Sequence, residues 1–79
     1  MKSKIDKYVI DQVRQRREAK DMSQADLAYE LKVSVGFIGK VESHKYTSHY
    51  NIKHLNSLAM ILDCILQDFL PKSPIRSKQ

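Results

Sequence analysis

Two helix starts stand eleven residues apart in the stretch MSQADLAYELKVSVGFIGKVES, Met22 to Ser43, and nothing else in the chain restricts its folding as strongly. The Ser23 hydroxyl can accept from a free backbone N–H of a first helical turn, and Asp26 suits the positive end of that helix's dipole. Met22 and Leu27 flank the cap at staple positions, and Val33, Ser34 and Ile38 repeat the device. The helix between the caps therefore has about two turns and ends near Leu31. Lys32 and Val33 leave room only for a tight bend, and helices joined so closely cross at about 90–120°.

The remaining elements follow from periodicity. Ile5, Val9 and Val13 recur every fourth residue and predict a first amphipathic helix from Lys4 to Lys20. The third helix runs from Val35 to about Ser43, although Gly36 and Gly39 each cost a helix interior about 1 kcal/mol relative to alanine. HKYTSHY has no apolar period and reads as a loop. A fourth helix carries Ile52, Leu55, Leu58, Ala59 and Leu62 on one stripe, with Ser48 or Asn51 as its cap. A short fifth segment, ILQDFLP, closes at Pro71. KSPIRSKQ reads as a frayed tail.

Seventy-nine residues allow one domain. With 42% hydrophobic and 29% charged residues it is globular in composition, and its net charge of +5 suits a polyanionic partner. A single cysteine, Cys64, excludes an internal disulfide and fits a reducing compartment, and its apolar surroundings make it a small hydrophobe rather than a nucleophile. MKSKIDK lacks the apolar core of a secretory signal, and the run Leu58 to Leu62 is far short of the ~20 residues of a membrane span. A cytoplasmic chain, complete from Met1 and without a membrane partner, is expected.

Counted from Gln24, apolar Leu27, Leu31, Val33, Ile38 and Val41 and small Ala28 resemble the helix-turn-helix of the lambdoid phage repressor and Cro family, often called the Xre family. SQADLA and FIGKVE are close to that family's usual wording, and the resemblance extends from about Val13 to Leu70. It implies an all-α chain folded as a compact five-helix lambda-repressor-like DNA-binding domain. Residues 1–4 would be a flexible N-terminal arm, 5–70 the domain with its motif at about 23–43, and 71–79 a flexible C-terminal tail. Arg17 and Glu42 match positions that form a structural salt bridge; as solvated surface charges they would contribute under about 1 kcal/mol. Lys32 and Asp21 stand where the family usually has glycine. Lysine adopts the left-handed conformation reluctantly, so a less sharp bend is expected. Ser43, His44 and Lys45 replace the family's usual Asn-Gly-Lys.

The same resemblance implies a sequence-specific transcriptional regulator, a repressor in role, with its third helix in the major groove. Val35, Gly36 and Lys40 match base-reading positions, with Phe37 partly packed beside them. Val35 suits a thymine methyl, and Lys40 suits either guanine N7 and O6 or a phosphate. Gly36 admits close approach to a base pair, or is a tolerated weak helix residue. Gln24, Ser34, Lys45, Tyr46 and Thr47 match positions near the DNA backbone, and Lys2 and Lys4 are read as a basic arm or a solvated tail. Double-stranded DNA with a palindromic operator is the implied partner, bound by a homodimer at least on DNA. The alternative is an antitoxin-type module that neutralises a partner protein and autoregulates its operon, docking through Ile65, Phe69 and Leu70.

Other chemistry finds little support. His44, His49 and His54 are five residues apart, which turns neighbours about 140° on a helix, and no further ligand completes a metal shell. No phosphate-cradling glycine loop or catalytic carboxylate pair is present, so no enzyme activity, metal or cofactor is expected.

Overall fold

The computed structural model describes residues 2–76. Four α-helices, α1 (Lys4–Ala19), α2 (Gln24–Leu31), α3 (Val35–Glu42) and α4 (Ile52–Ile61), are followed by one 3-10 turn, Leu66–Phe69. The described residues contain no strand. The expected fifth helix is thus a single 3-10 turn, held at its start by Asp68, whose carboxylate accepts from the Ile65 N–H at 3.1 Å. Each helix begins on a side-chain acceptor. Ser3 caps α1, Ser23 and Asp26 form a reciprocal box on α2, and Ser34 caps α3. Of the two alternatives for α4, Asn51 is the cap; its oxygen accepts from His54 N–H while the His54 ring accepts from Asn51 N–H. The Ser23 hydrogen bonds hold the Asp26 carboxyl below its ordinary pKa.

The buried stripe of α1 is Val9, Ile10, Val13 and Arg17, whereas Ile5 is 40% exposed. A strict period of four turns about 40° per step on the helix, so Ile5 sits to one side of the stripe that Val9, Ile10, Val13 and Arg17 share. Ile52, at the first position of α4, is likewise exposed, and the α4 stripe is Leu55, Leu58 and Ala59, with Leu62 buried just past its end. Together with Leu27, Leu31, Ile38, Val41, Tyr50 and Phe69 these residues form one core. Burying each large aliphatic or phenyl side chain contributes about 1.5–3 kcal/mol. α2 packs on α3 and α4, α1 on α3, and the 3-10 turn closes the open side between α1 and α4. Ala28, only 3% exposed, keeps the contact of α2 with its neighbours close.

Three helix ends share one solution. Asp21, Lys32 and Asp63 take φ of 55°, 63° and 54°, and the next N–H in each case reaches back across the turn, from Met22 to Arg17 O, Val33 to Ala28 O and Cys64 to Ala59 O. This is the Schellman arrangement, in which the residue after the left-handed one covers the helix end with an apolar side chain. Met22, Val33 and Cys64 do so, each partly buried against the core. The bend at Lys32 is therefore fully left-handed without glycine, contrary to the expectation of a gentler turn; Val33 is anchored tightly enough to impose it. Lys32→Gly removes a left-handed penalty of about 1 kcal/mol, and the expected outcome is a gain of that order in unfolding free energy by urea titration.

Candidate nucleic-acid interface

Arg17 and Glu42 meet at the inner edge of α3. Arg17 Nε and Nη2 donate to the two carboxylate oxygens of Glu42 at 2.9 and 2.8 Å, and Nη1 donates to the Met22 carbonyl at 2.7 Å. The carboxylate is shared by a third donor, Gln24 Nε2, at 3.0 Å. Both charged residues are buried, 7% and 9% exposed, and the hydrogen bonds to Glu42 raise the Arg17 pKa further above its already high ordinary value. A planar fork matched to a carboxylate is the geometry that offsets desolvation most fully. The network joins α1, the turn after it, the start of α2 and the end of α3.

The outer side of α3 is different in character. Val35 is 54% exposed, and Gly36 and Lys40 are also exposed. The Lys40 ammonium lies 5.7 Å from the centre of the Tyr46 ring, a cation–π distance that gathers Lys40 and the loop after α3 into one surface. Lys45 and Thr47 are exposed in that loop. The Ser34 hydroxyl accepts from Phe37 N–H at 3.0 Å, so its oxygen serves the helix start. Gln24, matched to a position near the DNA backbone, and Phe37, expected partly packed beside the base-reading positions, are both half-buried and make contacts within the domain. Gln24 donates to Glu42, and the Phe37 ring stacks with His54 at 5.3 Å and meets Tyr50 edge-on at 6.2 Å. Phe37 thus ties the first turn of α3 to Tyr50 and to the start of α4, the three rings forming a triangle with Tyr50 and His54 6.0 Å apart.

Neither glycine of α3 is required by the fold. Both have ordinary negative φ, and a Cβ on Gly36 or Gly39 would meet nothing closer than Ser34 Oγ at 3.9 Å or Gln24 Oε1 at 3.7 Å. Three residues of consequence were missed in the sequence. Tyr50 and His54 brace Phe37 from a segment whose polar composition hid them. The Tyr50 hydroxyl is buried without a hydrogen-bond partner among the described residues, and burial pushes its pKa well above the ordinary value. Lys2 is the third. Placed in a flexible or solvated arm by its sequence, it is 2% exposed, and its ammonium lies under the end of α3. The part of the expected tail beyond Arg76 lies outside the described residues.

Charge sorts with this geometry. From Leu31 to Leu62 the chain has four lysines, Lys32, Lys40, Lys45 and Lys53, and one carboxylate, Glu42. Since that carboxylate is buried and paired, the exposed charge of the whole stretch is positive. Among the described residues there is no pocket, no group of three metal-ligating side chains and no helix long and apolar enough to cross a membrane.

No family model matches the sequence, and no curated protein matches it. Solved structures do. The chain is similar to the biofilm master regulator SinR in complex with DNA, at 20% identity and a TM-score of 0.67 over 77% of this chain and 95% of that one. It is similar to the restriction-modification controller protein C.AhdI from Aeromonas hydrophila, at 23% identity and a TM-score of 0.69 over 81% and 94% of the two chains. It also matches part of HppE in its Fe(II) complex with substrate, at 19% identity and a TM-score of 0.73, covering 87% of this chain but 39% of that one. At such identities the likeness establishes the fold. The all-helical fold expected from residues 13–70 is thus one that SinR and C.AhdI share.

The Arg17–Glu42 pair generates one expectation. Removing either partner, as in Arg17→Met or Glu42→Gln, leaves the other charge buried, and the expected cost is about 3 kcal/mol. A double-mutant cycle read by chemical denaturation checks this; the double substitution should cost much less than the sum, and strict additivity would contradict direct coupling.

Proposed function

We propose that the chain is a sequence-specific DNA-binding transcriptional regulator that lays α3 in the major groove. The observation that carries this reading is the unopposed positive charge of the stretch containing α3, whose only acid is withdrawn into the Arg17 pair. The fold shared with SinR and C.AhdI adds to it, since one is described in complex with DNA and the other as a controller of restriction-modification. Val35, Gly36 and Lys40 are the base-reading candidates, and Ser34, Lys45, Tyr46 and Thr47 lie along the flanking backbone. Gln24 acts there through Glu42, and Phe37 through the aromatic packing behind α3.

A repressor of this shape reads two half-sites about 34 Å apart, more than one α3 can contact, so two copies act together on a palindromic operator. Met60, Ile65 and Leu70, exposed toward the C-terminal end, offer apolar surface for a second copy. Phe69 is not available for that purpose, being completely buried. The same side chains favour a second reading in which a protein partner docks there, in keeping with the description of one structure neighbour as a SinR–SinI complex. The fold is also found within part of the HppE chain, but a fold does not confer chemistry, and among the described residues no three metal-ligating side chains gather.

Selection of binding sites from random duplex DNA, followed by titration at several salt concentrations, tests the proposal. Lys40→Ala should relax preference at one position per half-site and cost about 1–3 kcal/mol on the selected sequence. Lys45→Ala should weaken all sequences alike and reduce the salt slope by about one unit. An identical uniform loss in both would mean that Lys40 reads no base. Gly36→Ala separates fold from function in another way. With open space for the methyl group, it should raise stability by about 1 kcal/mol in thermal unfolding while weakening binding to the selected site. Unchanged affinity would show that the backbone at Gly36 makes no close approach.

A further inference from the structure

The end of α3 departs from the pattern of the other helices. α1, α2 and α4 finish on left-handed residues, but Ser43, after α3, is extended at φ −94° and ψ 125°. A helix end leaves carbonyls without backbone donors, and some other group must meet them. Here the backbone bonds are long, Ser43 N–H to Lys40 O at 3.3 Å and Tyr46 N–H to Ser43 O at 3.4 Å, and the group that adds to them is the ammonium of Lys2. Its Nζ donates to Lys40 O at 3.3 Å and Ser43 O at 2.6 Å, and also to Tyr46 O. An ammonium has three protons, and all three are used. The cation also sits at the negative end of the α3 dipole. Burial lowers the Lys2 pKa, nearby Asp6 opposes that shift, and Lys7 adds to it.

These three carbonyls are not a random selection. One belongs to Lys40, one to the residue that ends α3, and one to Tyr46, whose ring faces the Lys40 ammonium. Lys45 lies between the second and the third. A single buried cation, 38 to 44 residues away in sequence, thus fixes the backbone from which the positive side chains of the candidate interface project. Ser3, the next residue, caps α1 and keeps Lys2 in place from the other side.

We propose that Lys2 is a positioning residue of the DNA interface, its ammonium holding the end of α3 and the following loop in the arrangement that presents Lys40, Lys45 and Tyr46 to the duplex. This rests on the DNA-binding reading above. Lys2 itself touches no DNA; it acts through the three carbonyls. A compact ammonium suits three converging oxygens, whereas the planar guanidinium of arginine does not.

The test uses the full chain with Lys2→Met, which keeps length and apolar stem but removes the charge, and Lys2→Arg, which keeps the charge in another shape. Binding to random duplex DNA is measured against salt at a temperature where circular dichroism shows each protein folded, and amide hydrogen exchange is followed over residues 43–47. Lys2→Met is expected to weaken binding about tenfold on every sequence, to flatten the salt dependence by about one unit, and to speed exchange in that loop. Adding Lys45→Ala to Lys2→Met should cost little more, because the Lys45 contact is already lost. A merely structural lysine would lower thermal stability but leave the affinity and salt slope of the folded protein unchanged, and that result overturns the proposal. So do fully additive losses. If Lys2→Met does not fold, Lys2→Arg carries the comparison: it should fold and bind more weakly, and binding equal to the wild type overturns the inference. Wild-type protein that binds no duplex DNA would instead overturn the reading on which the inference rests.

Discussion

One buried hydrogen-bonded ion pair decides where α3 stands relative to the rest of the molecule. Arg17 uses both arms of its guanidinium, two donors to Glu42 and one to the Met22 carbonyl, so a single side chain sets the end of α1, the turn into α2 and the end of α3. The other carboxylate near Arg17, Glu18 at 3.8 Å, is largely exposed, so the buried fork with Glu42 is the pairing that both charges need. Any displacement of α3 must either break the fork or carry α1 along. The pair also decides the sign of the surface, because the carboxylate it consumes is the sole one between Leu31 and Leu62.

Around that fixed point the helices are closed in two ways. Asp21, Lys32 and Asp63 are left-handed, and Met22, Val33 and Cys64 follow them into the core. In this setting Cys64 is one of three equivalent lids, and burial raises its pKa above the ordinary thiol value. The end of α3 has no such lid, since its next residues must stay outside to form the loop with Lys45 and Tyr46. A cation brought from the other end of the chain satisfies its carbonyls without covering them from the solvent side.

Much of this was legible because it is local. Ser23, Ser34 and Asn51 announce helix starts within four residues of sequence, and the bounds of α2 and α3 follow from caps and staples alone. The core was readable where the period of three and four was sustained, at Val9, Val13, Leu55 and Leu58. It is not readable at Ile5 and Ile52, which are exposed although Lys2 and Tyr50, just before them in the chain, are buried; only the tertiary arrangement shows which side of each first turn is covered. The bend at Lys32 was misjudged because intrinsic preference was weighed without the anchoring of Val33. Lys2 and the inward contacts of Gln24 and Phe37 depend on partners 13 to 44 residues away, and such pairings leave no mark on local composition.

Both glycines of the chain lie in α3, a helix of eight residues. Nucleating a helix is unfavourable even for sequences rich in good helix formers, and two glycines make this segment a poor one. Beyond the local cap on Ser34, its helical form is therefore maintained by Arg17, Lys2 and the burial of Ile38 and Val41, all of which need the other elements in place. Order in α3 is thus a property of the assembled domain. A partly unfolded or freshly synthesised chain, though equally basic, has no preformed α3 surface, so the arrangement of the exposed lysines and the cooperativity of folding arrive in the same step.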